Sequence, residues 1–260
     1  MRDRSIQADL KLLRSMIIWA LRKKVGDGQR LLADDPMAGY SLLGGASPRR
    51  PTATDERFTK TLAAIDQLVD KTENPKLKTQ YRMLAMVVKA LDGTGRRVSA
   101  ILGLKWSDIV VLEENGVRLP HIQFVRGLDK AGRGAWLPLA QKVYDAFMQW
   151  RHECPESTGD LVFPDIDAAK PVRSDWMAEL LGRAESLADL VPLNGSLFHA
   201  YRRRFATARE HVPFNRVMEL MGITDARVFR ECYCRTSSGA LREALADWRP
   251  VTDPRLELAA

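Results

Sequence analysis

Apolar residues recur at helical spacing along most of the chain. Over residues 5–24, Leu10, Leu13, Ile17 and the Ala20-Leu21 pair fall on one side of a helix. Arg22-Lys23-Lys24 follow, where cations suit the negative end of the helix dipole. The period is then lost. Pro36, Gly39, Gly44, Gly45, Pro48 and Pro51 punctuate residues 36–53, which read as a linker. From Thr54 the period returns, with helices expected over 55–70, over 76–91 with Tyr81, Leu84, Val88 and Leu91 on one face, and near 97–104.

A switch to strands follows. Ile109 to Leu112 and Val117 to Leu119 flank Asn115-Gly116, a hairpin signal because both residues tolerate positive φ. His121 to Val125 continues the sheet, and Leu128 to Gly134 turns the chain into a short strand at Ala135 to Leu137. Helical spacing then resumes at 140–151, 173–187, 197–210, 214–221, 225–232 and 237–248. There is no internal repeat and no βαβ alternation. The expected fold is mainly α with one small antiparallel β-sheet. Residues 1–35 read as the end of a small helical domain, 36–53 as linker, and 54–260 as a second domain closed by a tail helix over 237–248.

Composition narrows the class. The chain has 260 residues, 45% of them hydrophobic and 28% charged, which excludes fibrous and wholly disordered chains. No apolar run approaches the ~18 residues of a membrane span. No signal peptide is readable among Arg2, Asp3, Arg4, Asp9 and Lys11, so the expected compartment is the cytoplasm. The net charge of +7 is concentrated in residues 1–50, which carry ten basic and five acidic residues. That distribution fits either a basic arm for a polyanion or a solvated face. Cys154, Cys232 and Cys234 form neither a disulfide framework nor a metal-ligand spacing. No P-loop, dinucleotide fingerprint, zinc-protease motif or serine-hydrolase elbow occurs, so no cofactor or metal is expected.

What remains is arginine placed near helix starts. Thr94-Gly95-Arg96-Arg97-Val98-Ser99 opens a helix leading to Leu104-Lys105-Trp106-Ser107-Asp108, and His199-Ala200-Tyr201-Arg202-Arg203-Arg204-Phe205-Ala206-Thr207 opens another. A guanidinium is planar and permanently charged, and can donate to two phosphate oxygens at once. Taken singly, Arg202 to Arg204 read as an exposed face, His199 as a satisfied core histidine, Lys130 as a polar turn and Tyr233 as packing.

Taken in order, these residues resemble the tyrosine recombinase or phage integrase family. Thr94 through Asp108 matches the family's first box, with Arg97 as its arginine. Lys130, ahead of Pro138-Leu139, matches its lysine in a β-turn. His199 and Arg202 match His-x-x-Arg. Leu220-Met221-Gly222 followed by Tyr233 matches its closing box, except that Ile223 stands where the family has His or Trp. The resemblance implies the DNA breaking-rejoining catalytic fold, preceded by a truncated core-binding domain. It implies site-specific recombination by Arg97, Lys130, His199, Arg202 and Tyr233.

The chemistry suits these residue types. Tyr233 is the candidate nucleophile, Arg97 and Arg202 are placed to clamp the non-bridging oxygens, Lys130 is the fitting acid for the leaving 5′-oxygen, and His199 would accept from or orient the tyrosine or a phosphate oxygen; the resemblance implies a 3′-phosphotyrosyl intermediate with a free 5′-hydroxyl. The expected partners are double-stranded DNA, further copies of the chain in a tetramer on paired sites, and an accessory DNA-bending factor, in a bacterial or phage setting. Arg22, Lys23, Lys24, Arg133, Arg203 and Arg204 are the expected DNA-binding cations. Two alternatives stay open: a catalytically weak DNA-binding relative, or type IB topoisomerase or telomere-resolvase chemistry.

Overall fold

The computed structural model describes residues 3–40, 50–124, 136–153, 159–193, 195 and 197–233. Lys130, Arg133, Cys154, Cys234 and the helix expected over 237–248 lie outside them. The chain divides into two compact units, Met1–Pro48 and Arg49–Ala260.

In the first unit, α1 (Asp3–Arg22) ends on Arg22. It is followed by a hairpin absent from the sequence expectation, β1 (Lys24–Val25) antiparallel to β2 (Gln29–Arg30). Two-residue strands are too short to show alternation. Their signal is the turn itself, in which Gly26 and Gly28 take φ of +51° and +84°. The hairpin is tied to the helix by Leu31 N–H to the Lys23 carbonyl at 2.8 Å and Leu32 N–H to the Ala20 carbonyl at 3.3 Å.

In the second unit, α2 (Asp55–Lys71) starts where the Thr54 hydroxyl accepts from Arg57 N–H, with Asp55 and Glu56 in its first turn. Asn74 caps α3 (Pro75–Thr94), whose buried side chains include Tyr81, Leu84, Val88 and Leu91. A short helix, α4 (Val98–Leu102), and a 3₁₀ turn, Trp106–Asp108, lead into an antiparallel sheet. Its order is β3 (Ile109–Glu114), β4 (Val117–Gln123), β5 (Trp136–Pro138). Asn115 and Gly116 have φ of +53° and +78°, as the hairpin signal requires.

β4 runs unbroken through Pro120, which pairs with Val111. A residue's N and C=O face the same neighbour in an antiparallel pair, and the Pro120 carbonyl accepts from Leu139 N–H at 2.8 Å. The missing donor therefore faces the end of β5 and leaves the ladder with β3 intact.

After α5 (Gln141–Glu153) comes a second unexpected hairpin, β6 (Pro164–Asp165) with β7 (Ala168–Pro171). Then follow α6 (Ser174–Leu187), α7 (Leu197–Thr207), α8 (Phe214–Met221) and α9 (Ala226–Cys232). The described residues thus hold three small antiparallel sheets where one was expected.

The main core gathers α2 to α7 and the three-stranded sheet. Inside it, Arg57 binds Glu185 through two hydrogen bonds at 3.0 and 2.7 Å, Tyr201 Oη donates to Glu185 at 2.7 Å, and Thr61 bonds Tyr201 Oη at 2.9 Å. This buried network locks α7 to α2 and α6. A second apolar cluster joins Phe205 and Ala206 of α7 to Val217, Met218, Met221, Ile223, Phe229 and Tyr233.

Candidate functional site

Gly95 ends α3 with φ of +64°, and an added Cβ would lie 2.4 Å from the Phe205 ring, so both backbone and space demand glycine there. That turn splits the Arg96-Arg97 pair. Arg96 goes inward: it is buried, its guanidinium packs 4.6 Å from the centre of the Phe124 ring, and Nη2 donates to the Glu219 carbonyl at 3.1 Å. Arg97 is half-buried at the N-cap of α4.

His199 and Arg202 are three residues apart on α7 and share a face. Arg202 is 1% exposed and donates through Nη2 to the Met221 carbonyl at 3.1 Å, where a cation meets the negative end of α8. The same guanidinium lies 5.3 Å from the centre of the Tyr233 ring. Tyr233 follows α9 directly, donates its N–H to the Phe229 carbonyl at 2.8 Å and stacks on the Phe229 ring.

The turn between α8 and α9 explains Ile223. Gly222, with φ of +64°, donates to the Glu219 carbonyl at 3.1 Å, and Ile223 N–H donates to the Met218 carbonyl at 2.9 Å. This is a Schellman motif, which places an apolar side chain after the glycine against the helix it ends. Ile223 is 7% exposed within the cluster that also holds Tyr233.

His199 is half-buried, and its pKa is lowered to about 4, first by desolvation and then by the charges of Arg202, Arg203, Arg50 and Arg97. It is neutral at neutral pH, so one ring nitrogen is an acceptor and the other a donor. Arg202 of α7 thus meets the Tyr233 ring after α9, and the charges of Arg202 and of Arg97 at the start of α4 act on His199.

Two of the expected DNA cations have other partners. Arg203 is buried and donates to the Pro51 carbonyl at 2.6 Å. Arg204 is ion-paired with Asp55 and Asp92 and packs 4.4 Å from the centre of the Phe58 ring. Both serve packing within the domain, Arg203 against the segment before α2 and Arg204 against α2 and α3. Arg22, Lys23 and Lys24 are exposed in the first unit. Lys130 and Arg133 fall outside the described residues, between β4 and β5 in sequence.

Sequence reasoning assigned no part to Arg96, Tyr201 or Arg50. Arg96 lay inside a motif already quoted, but which of two adjacent arginines turns inward depends on the αL turn at Gly95. Among the described residues no group of His, Cys, Asp and Glu is arranged to hold a metal, and no helix is long and apolar enough to cross a membrane.

Residues 61–238 match the phage integrase family, and the chain belongs to that family. No curated protein matches it by sequence. Among solved structures it is similar to the Tn1549 transposon integrase in complex with a circular intermediate DNA, at TM-score 0.65 and 18% identity, covering 95% of this chain and 79% of that one. It is also similar to the XerH site-specific recombinase in a post-cleavage complex with a palindromic difH substrate, at TM-score 0.64 and 19% identity, covering 91% of this chain and 65% of that one. A lambda integrase tetramer bound to a Holliday junction gives TM-score 0.61 and 20% identity, covering 91% and 63%. The chain thus has the tyrosine recombinase catalytic fold and spans about two thirds of the XerH and lambda integrase chains.

Proposed function

We propose that the chain cleaves and rejoins double-stranded DNA at specific sites through a phosphotyrosyl intermediate on Tyr233. The observation that carries this reading is the contact of Arg202 with the Tyr233 ring, beside a histidine held neutral by burial and, after that, by neighbouring arginines. Tyr233 Oη gives its proton to neutral His199 as it attacks the scissile phosphorus and the P–O5′ bond breaks, leaving a 3′-phosphotyrosine and a 5′-hydroxyl. Lys130 gives the leaving oxygen its proton. Arg97 and Arg202 hold the non-bridging oxygens as charge builds there. Neutral His199 accepts a hydrogen bond from the tyrosine or donates one to a phosphate oxygen. The 5′-hydroxyl of a partner strand then displaces the tyrosine, so each phosphoester broken is replaced by another and no energy source is needed.

The solved relatives are recombinases on DNA, one of them a tetramer on a Holliday junction, which supports synapsis of four copies on paired sites. The first unit is read as the end of a core-binding domain, with Arg22, Lys23 and Lys24 on backbone phosphates, and an accessory bending factor completes the assembly. The setting is the cytoplasm of a bacterium or phage-infected cell. The test is incubation with a pool of nicked duplexes of randomised sequence. Covalent adducts should appear on a denaturing gel, and sequencing them gives the site.

Ile223 favours a second reading, a DNA-binding relative with weak cleavage, because its side chain has no donor. An empty gel together with sequence-selective binding supports that reading. Relaxation of a supercoiled plasmid lacking paired sites points to topoisomerase-like strand fate.

A further inference from the structure

The segment that enters the second unit is fixed to the helix bearing His199 and Arg202. Pro51 restrains the backbone of Arg50 to extended conformations. Arg203 of α7 then donates to the Pro51 carbonyl at 2.6 Å, and Ala53 N–H donates to the Ala200 carbonyl at 3.1 Å. Ala53 is buried against the core. Residues 53 and 51 are thus pinned to Ala200 and Arg203, within one turn of His199 and Arg202 on α7, and Arg50 is carried to the edge of the site.

The charges acting on His199 differ in exposure. Arg202 and Arg203 are buried, with bonds to Met221 and Pro51, and Arg97 is half-buried. Arg50 is exposed. An exposed arginine at the rim of a cationic site, next to a backbone held by two hydrogen bonds, fits an anion lying across that rim.

We propose that Arg50 binds a DNA backbone phosphate next to the one gripped by Arg97 and Arg202, making the 50–53 segment a wall of the catalytic site. A charge-assisted contact of this kind positions the duplex without reading its sequence. This rests on the DNA-cleavage reading above.

The experiment compares wild type, Arg50→Ala and Arg50→Lys. On a plain duplex of about 30 base pairs, the slope of log affinity against log salt should fall by about 0.9 in Arg50→Ala and be retained in Arg50→Lys. On the nicked duplex recovered by selection, single-turnover cleavage should fall at least about tenfold in Arg50→Ala, with partial recovery in Arg50→Lys. The His199 Cε1–H resonance should report a folded Arg50→Ala protein whose midpoint has moved up, since one repelling charge is gone. A salt slope and a cleavage rate both equal to wild type in Arg50→Ala overturn the proposal. If wild type forms no adduct on any duplex, the cleavage reading fails, and the salt slope alone then decides whether Arg50 holds phosphate.

Discussion

The Arg202 guanidinium sits 5.3 Å from the Tyr233 ring centre while donating to the Met221 carbonyl at 3.1 Å. One side chain therefore touches the Tyr233 ring and the end of α8. Removing it should act on both stability and chemistry. Arg202→Ala should lower stability in urea by about 2 kcal/mol, the scale of a lost charge-assisted bond at a buried site, and abolish the covalent adduct. Arg202→Lys, which keeps charge but not the planar fork, should regain stability more than cleavage. Equal recovery of both would remove the case for bidentate phosphate binding.

Tyr233→Phe should separate fold from chemistry in the opposite sense. The ring, its stacking on Phe229 and its contact with Arg202 all survive the change. Unfolding free energy should stay within about 0.5 kcal/mol of wild type, while the adduct disappears. Cys232 is exposed beside the tyrosine and is the rival nucleophile. Cys232→Ser should leave the adduct intact, and its loss there would move the covalent bond to sulfur.

His199 sets a pH dependence whose sign is fixed by its depressed pKa. Folded His199 protonates near pH 4, against about 6.5 in the unfolded chain. Between these values the unfolded state binds a proton that the folded state does not, so stability is full above about pH 6.5 and is lost as pH falls towards 4. His199→Gln should remove this part of the slope, measured as the difference between the two proteins in urea across pH 4–7. A His199 midpoint near 6.5 by proton NMR would contradict the assignment.

Tyr201, between His199 and Arg202 on α7, holds the helix from behind. Burial and the Glu185 carboxylate push its phenol well above the usual range, so it remains a donor to Glu185. Tyr201→Phe should cost about 1–3 kcal/mol in chemical denaturation, because Thr61 and Glu185 each lose a partner in a buried site. Arg57 continues to neutralise Glu185, so the fold should persist. A loss of cleavage larger than the loss of stability explains would show that the network also aims His199 and Arg202.

Much of this was legible from spacing. The helices over 55–71 and 75–94 carry long apolar stripes, and Asn115-Gly116 marks its turn by backbone chemistry. The hairpins at 24–30 and 164–171 were not legible, since strands of two to four residues leave no period to read. The fates of the arginines were hidden for another reason. Arg203 and Arg204 look like any exposed run until α7 is rotated against the residues it meets, and those partners, Pro51, Asp55 and Asp92, lie more than a hundred residues away. Gly222 was read as part of a spacing motif, although a glycine ending an amphipathic helix also announces a Schellman turn and hence an apolar residue after it.

That turn decides the last expectation, Ile223→His. The backbone N–H of residue 223 closes the cap whatever its side chain, but the side chain packs among Met218, Phe229 and Tyr233. Histidine there should lower stability by about 1–2 kcal/mol, since an imidazole enters an apolar cluster. The same substitution places a donor within the cluster that holds Tyr233, and one added donor to developing phosphate charge accelerates chemistry by up to ~10²-fold. Affinity, which rests on many phosphate contacts, should not change. Ile223→Ala supplies the control, because it removes the packing and adds no donor. Faster single-turnover cleavage in Ile223→His with none in Ile223→Ala would establish a missing donor in the native site. Equal or slower cleavage in both would mean that the isoleucine is there for the tyrosine's packing and that the phosphate lacks nothing from this position.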